Sequence, residues 1–386
     1  MLTKRQAAIC FFFSLLLGTL ACQTNKVAKE GWAQKMETLY SSFVDLVPYI
    51  YDNNEYRSLK NRERILSLYD KLAYSVHQIE DSADKMPPDS DPILKVASQE
   101  MKANIEYAKF SFEKGYFDYS RGLMQYTANQ CFQCHTRAAI GPAFGDRHLK
   151  LDQLKMDSTE KADVYIATRQ YDLARKTLEL TIDSSLKVNP MPMELEESLY
   201  MYLALMVRIE QDPAPVIERL TSLLQRDDLP VYFRRDATKW KKSLVAWQKD
   251  IRRGRQDGNK ISQAKTLVAA GEKQKNRVSD RGGDIDFLRA TAVLHRALQE
   301  KHSDKDRAEI YYLLGSTYEN LRRYGGLDLY KAYYQSCMES APKSGIAKNC
   351  YERYEENAYA DFWEGGAQFS ATPLKKRLKE LKELIK

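Results

Sequence analysis

Between residues 31 and 137 apolar side chains return every three to four positions through four successive stretches, a pattern that is buried by forming helices. The first stretch, about 31–51, carries Met36, Leu39, Tyr40, Phe43, Leu46, Val47 and Ile50 on one stripe. The second, about 58–84, carries Ile65, Leu68, Leu72, Val76 and Ile79 and stops at Met86-Pro87-Pro88. Asp91 is placed to cap a third helix with Pro92 in its first turn. The stripe of that helix, from Ile93 through Ala97, Met101, Ile105 and Ala108 to Phe112, ends at Gly115. A fourth helix is expected over about 116–137. Long helices with short connections predict an up-down-up-down bundle. With 12 prolines and 17 glycines in 386 residues, turn residues are few, and the expected class is all-α.

Six cysteines divide into three pairs. The middle pair lies in Cys131-Phe132-Gln133-Cys134-His135, the attachment pattern of c-type haem. Two thiols add across the vinyl groups of one porphyrin, and the adjoining histidine is the proximal iron ligand. On a helix these positions are i, i+3 and i+4, so all three share a face. A redox dithiol would want strands around it, and a structural zinc site would want two further ligands nearby; neither is present in the sequence. The expected cofactor is one covalent haem c.

The first pair belongs to export. Lys4 and Arg5 precede an apolar run from Ala7 to Leu17, too short to span a bilayer, and the segment 1–22 reads as a signal peptide. Thr19-Leu20-Ala21-Cys22 resembles the bacterial lipobox, which implies lipidation of Cys22; the alternative is a soluble periplasmic chain. Gln23 after the cysteine resembles the sorting pattern for the outer membrane, so the expected location is its periplasmic side.

A four-helix bundle with Cys131, Cys134 and His135 near the end of its last helix resembles the cytochrome c-prime group, the class II c-type cytochromes, over roughly 30–140, inside an expected haem-binding domain of 30–148. The resemblance implies electron transfer or ligand binding at a single haem. The family usually has an aromatic residue and an arginine after the histidine; here Thr136-Arg137-Ala138 follows, with Arg137 a candidate partner for a propionate. Three possibilities stay open for the sixth iron position: Met36 on the first helix, His77 near the end of the second, or an open site that binds gases. A class I reading is the rival. It rests on Gly141-Pro142 after the histidine and on Met191 or Met193 as ligand.

Residues 150–386 change to shorter paired helices. Ala162 through Ala174, and better Ala308 through Tyr318 with Leu314-Gly315 inside it, resemble tetratricopeptide hairpins, so the expectation is an α-solenoid that docks a partner protein or peptide. Cys337 and Cys350, thirteen apart, are expected to form a disulfide in an oxidising compartment. Residues 374–386 are expected to form a short capping helix. The formal charge of +7 is interspersed, which argues against nucleic acid as a partner. The leading reading is a monohaem electron carrier; the alternatives are a haem-based gas or redox sensor and, more remotely, a peroxidase. For a peroxidase, no distal histidine and arginine pair can be assigned.

Overall fold

The computed structural model describes residues 34–85, 90–137, 151–254, 258–277, 279–322, 328–364 and 372–386. Among them the regular structure is helical throughout, with no strand. The export segment, Cys22, the Met86-Pro87-Pro88 stop and Gly141-Pro142 lie outside the described residues. Among the described residues no helix is long and apolar enough to cross a membrane.

The first helix, α1, covers 34–50, followed by the short α2 (Asn53–Arg57), then α3 (Arg62–Asp84), α4 (Ile93–Glu113) and α5 (Phe117–Thr136). Polar contacts along their flanks set the directions. Lys35 near the start of α1 donates to Gln78 O at the end of α3, and Arg64 at the start of α3 lies 3.5 Å from Asp45 in the later half of α1. Lys102–Glu80 at 2.8 Å and Lys109–Asp70 at 2.5 Å run α4 antiparallel to α3. Ser120 donates to Ala108 O at 2.6 Å and Asn104 to Gln130 Oε1 at 3.1 Å, running α5 antiparallel to α4. Arg121 Nε donates to Ile50 O at 2.7 Å, so the start of α5 lies beside the end of α1. The end of α5 is thereby carried to the start of α1. Exposed pairs of this kind add little stability; the stripes do the holding, with Leu46, Ile50, Leu68, Val76, Ile105 and Phe112 at most 2% exposed. Gly115 ends α4 with φ at +82°, a backbone position that a side chain would strain.

Among the described residues eleven further α-helices follow: α6 (Ser158–Ala167), α7 (Tyr171–Ser185), α8 (Met193–Leu205), α9 (Ala214–Leu223), α10 (Val231–Arg252), α11 (Lys260–Lys273), α12 (Asp284–Ala297), α13 (Asp304–Asn320), α14 (Leu329–Ser340), α15 (Gly345–Glu364) and α16 (Thr372–Leu384). A π-helical turn, Met206–Glu210, extends α8. Each helix packs chiefly on its sequence neighbours, as in α6 on α7, α11 on α12 and α13 on α14. Gly315 lets α14 approach α13, since a Cβ there would stand 2.5 Å from the Tyr334 ring. The apolar core runs without a break from Leu39 on α1 to Leu381 on α16.

Cys337 on α14 and Cys350 on α15 are disulfide-bonded, with Cα atoms 6.3 Å apart. Closing a loop of this length contributes about 3 kcal/mol in the chain-entropy view. Reduction with dithiothreitol is expected to lower the unfolding free energy in urea by roughly that amount, with Cys337→Ala/Cys350→Ala matching the reduced protein.

Candidate functional site

α5 is a helix of 20 residues whose last turns hold Cys131, Cys134 and His135, all lining one cavity. Across it stand Met36, Tyr40 and Phe43 of α1, Leu72 of α3, and Met101 and Ile105 of α4. The lining is strongly apolar and the cavity volume is about 60 Å³. Gln130 also faces it, and its Oε1 accepts from Asn104.

His135 is 5% exposed, and its Nδ1 lies 3.3 Å from Ile166 O on α6. With the proton on Nδ1 donated to that carbonyl, Nε2 carries the lone pair that a metal takes. Burial, with Arg169 adding to it, holds the imidazole down at about 3, so the ring is neutral at ordinary pH. Tyr171 on α7 donates its hydroxyl to His135 O at 2.9 Å, pinning the backbone of the motif from the far side. Burial pushes the Cys131 thiol up to about 12, and Cys134 and Asp163 push the same way. A thiol so placed is a poor thiolate, which disfavours a redox dithiol.

The other residues expected at this site fall in different places. Met36 is brought to the cavity from α1, as the topology required. His77 is not. Its side chain is 53% exposed on the outer face of α3, with Nδ1 3.7 Å from Glu80 and Nε2 3.8 Å from Asp81. The physical reason is its position beside the stripe of α3: Val76 takes the inward place. Met191 and Met193 line a separate groove of about 650 Å³ with Asn129, Phe132 and Tyr200, on another face of α5 from His135. Arg137 is committed to a carboxylate, its Nη1 2.5 Å from Asp91 Oδ2.

That ion pair opens onto a cluster that the sequence did not disclose. Asp91 Oδ1 accepts from Ile93 N at 3.1 Å, the expected capping contact, and also from the Tyr333 hydroxyl at 2.9 Å. His295 Nδ1 stands 3.2 Å from Asp91 Oδ2, and its Nε2 lies 2.8 Å from the Tyr318 hydroxyl. The rings of Tyr318 and Tyr333 stack with centroids 5.5 Å apart. One buried carboxylate from the head of α4 thus ties the end of α5 to α12, α13 and α14. Burial alone would push the Asp91 carboxyl up; Arg137 and His295 overcome this and hold it well below the usual carboxylate range. No local pattern marks these residues, because the Tyr333 contact to Asp91 spans 242 positions.

No protein-family model, curated protein or solved structure matches the chain.

Proposed function

We propose that the chain is a monohaem c-type cytochrome that carries electrons on the periplasmic side of a bacterial outer membrane, anchored by a lipid on Cys22. In this reading α1, α3, α4 and α5 form a haem-binding four-helix bundle, and α6 to α16 form a tetratricopeptide-like solenoid that docks a redox partner. The observation that carries it is the convergence of Cys131, Cys134 and His135 on one apolar cavity with Met36 across from them.

The residues suit the group. Two thiols on one helix face match two vinyl positions, a buried neutral imidazole is an iron ligand by chemistry, and the lining is apolar as a porphyrin face requires. The cavity is well below the roughly 300–1,000 Å³ of cofactor sites, so this site would take the group only with displacement of the side chains that line it. A haem held here supplies a one-electron couple.

Each neighbouring residue then has a task. Cys131 and Cys134 fix the group covalently, and the Ile166 carbonyl orients the His135 ring. Tyr40, Phe43 and Leu72 exclude water. Met36 is the residue placed to supply a second ligand to the iron, and a thioether there would favour the reduced state over a second imidazole. Met36→Ala is expected to convert a low-spin spectrum into a high-spin one that binds carbon monoxide. His77→Ala is expected to leave the spectrum unchanged. Ready carbon monoxide binding by the parent protein would transfer the assignment to the gas-sensor reading.

A further inference from the structure

We infer that Arg208 is a receptor for a carboxylate at the junction of α5 with the later helices, and that in the haem-carrying protein this carboxylate is a propionate of the haem. The second half rests on the proposed function; the first half does not.

Arg208 is 1% exposed. Its Nε donates to Thr291 Oγ1 at 3.0 Å and its Nη1 makes a long 3.5 Å contact to Thr136 Oγ1, while Nη2 has no partner. No carboxylate stands within ion-pair distance of it among the described residues. The one anion of the neighbouring cluster, Asp91, is already held by Arg137 and His295. The Tyr318 ring lies 5.5 Å from the guanidinium carbon, and burial pushes that phenol up to about 12, so it too is neutral.

A guanidinium withdrawn from water is held by partners for its N–H groups. Around Arg208 these are two neutral hydroxyls and an aromatic face, and Nη2 is left over. A carboxylate is the partner that supplies both the missing acceptor and the opposite charge. The Nη1–Nη2 edge offers parallel N–H donors, the fork that a planar carboxylate fills. The backbone agrees, since Arg208 sits on the π-helical turn Met206–Glu210, with Gln211 at φ 54° behind it. Such turns are rare and recur at functional sites. Thr136, which the guanidinium touches, directly follows His135 and so places this edge beside the proposed haem helix.

The test uses the full chain in two forms. In the haem-carrying protein, Arg208→Gln is expected to shift the reduction equilibrium toward the oxidised state by about tenfold, or 59 mV for one electron. The sign follows because loss of the cation leaves a carboxylate charge unopposed near the iron. Arg208→Lys is expected to keep most of the parent potential. In a haem-free form made by Cys131→Ala/Cys134→Ala, sodium formate is expected to raise the thermal midpoint above that in sodium chloride at equal ionic strength. Arg208→Gln is expected to abolish that rise. Formate stabilisation of the haem-carrying parent as well would assign the site to a free carboxylate and overturn the propionate half. An unchanged potential together with no formate effect in either form overturns the whole inference. Should Arg208→Gln not fold, the lysine variant and the parent titrations still decide. Should the parent carry no covalent haem, the proposed function fails, while the formate titration still judges Arg208.

Discussion

Asp91→Ala is expected to destabilise the folded chain by roughly 3–5 kcal/mol, the cost of breaking a buried ion pair from one side. The carboxylate accepts from Arg137, Tyr333 and the Ile93 amide, and His295 Nδ1 stands 3.2 Å from it. Its removal leaves a guanidinium buried without its anion and a tyrosine hydroxyl without its acceptor. Asp91→Asn keeps the shape and part of the hydrogen bonding, so it is expected to cost less. Asp91→Asn/Arg137→Gln is expected to recover part of the single-variant loss, because both charges go together. Urea unfolding reads all four proteins. A loss below about 1 kcal/mol for Asp91→Ala would show that the cluster does not tie α4 and α5 to the later helices.

The same cluster makes stability depend on pH. Burial holds His295 down at about 4, against about 6.5 in an unfolded chain. The unfolded state therefore binds the extra proton first as pH falls. The stability contributed by neutral His295 is complete above about 6.5 and is lost progressively toward pH 4, by roughly 3 kcal/mol. Asp91, whose carboxyl is held below its ordinary value, adds a further loss below about pH 4. In a His295→Gln variant the decline between pH 6.5 and 4 should flatten. An undiminished decline would assign it to other groups.

Single replacement of Cys131 or Cys134 by Ala is expected to leave one thioether and a several-fold lower yield of haem protein. The double replacement is expected to abolish covalent haem. Both thiols face one cavity from successive turns of α5, so in the proposed haem protein each would account for one vinyl bond and neither could take over for the other. Pyridine haemochrome spectra separate the cases, because one remaining thioether leaves one vinyl group conjugated and moves the band to longer wavelength. Equal haem in the double variant would place the group elsewhere.

Helix positions were largely legible from the periodicity. The stripes of α1, α3 and α4 placed their helices to within a few residues, and α5 falls within its expected 116–137. These elements are set by local spacing, which a sequence displays directly. The convergence of Met36 with Cys131, Cys134 and His135 was also legible, since antiparallel topology brings those helix ends together. His77, one of three possibilities for the sixth iron position, stands away from the cavity because a residue beside a stripe can turn either way, and here it faces Glu80 and Asp81. Asp91 was recognised only as a cap; its larger role depends on His295, Tyr318 and Tyr333, which approach it through tertiary packing. Arg208 gave no signal at all. An arginine in a sequence reads as surface, and only its burial and its unpaired Nη2 mark it out.

Covalent haem is read from the intact mass of the denatured protein after expression in a host with a functioning c-type maturation system. Covalent attachment at Cys131 and Cys134 predicts the mass of the processed chain plus one haem, retained through acid–acetone extraction. A mass equal to the processed chain alone, with the colour lost to the extract, would contradict it.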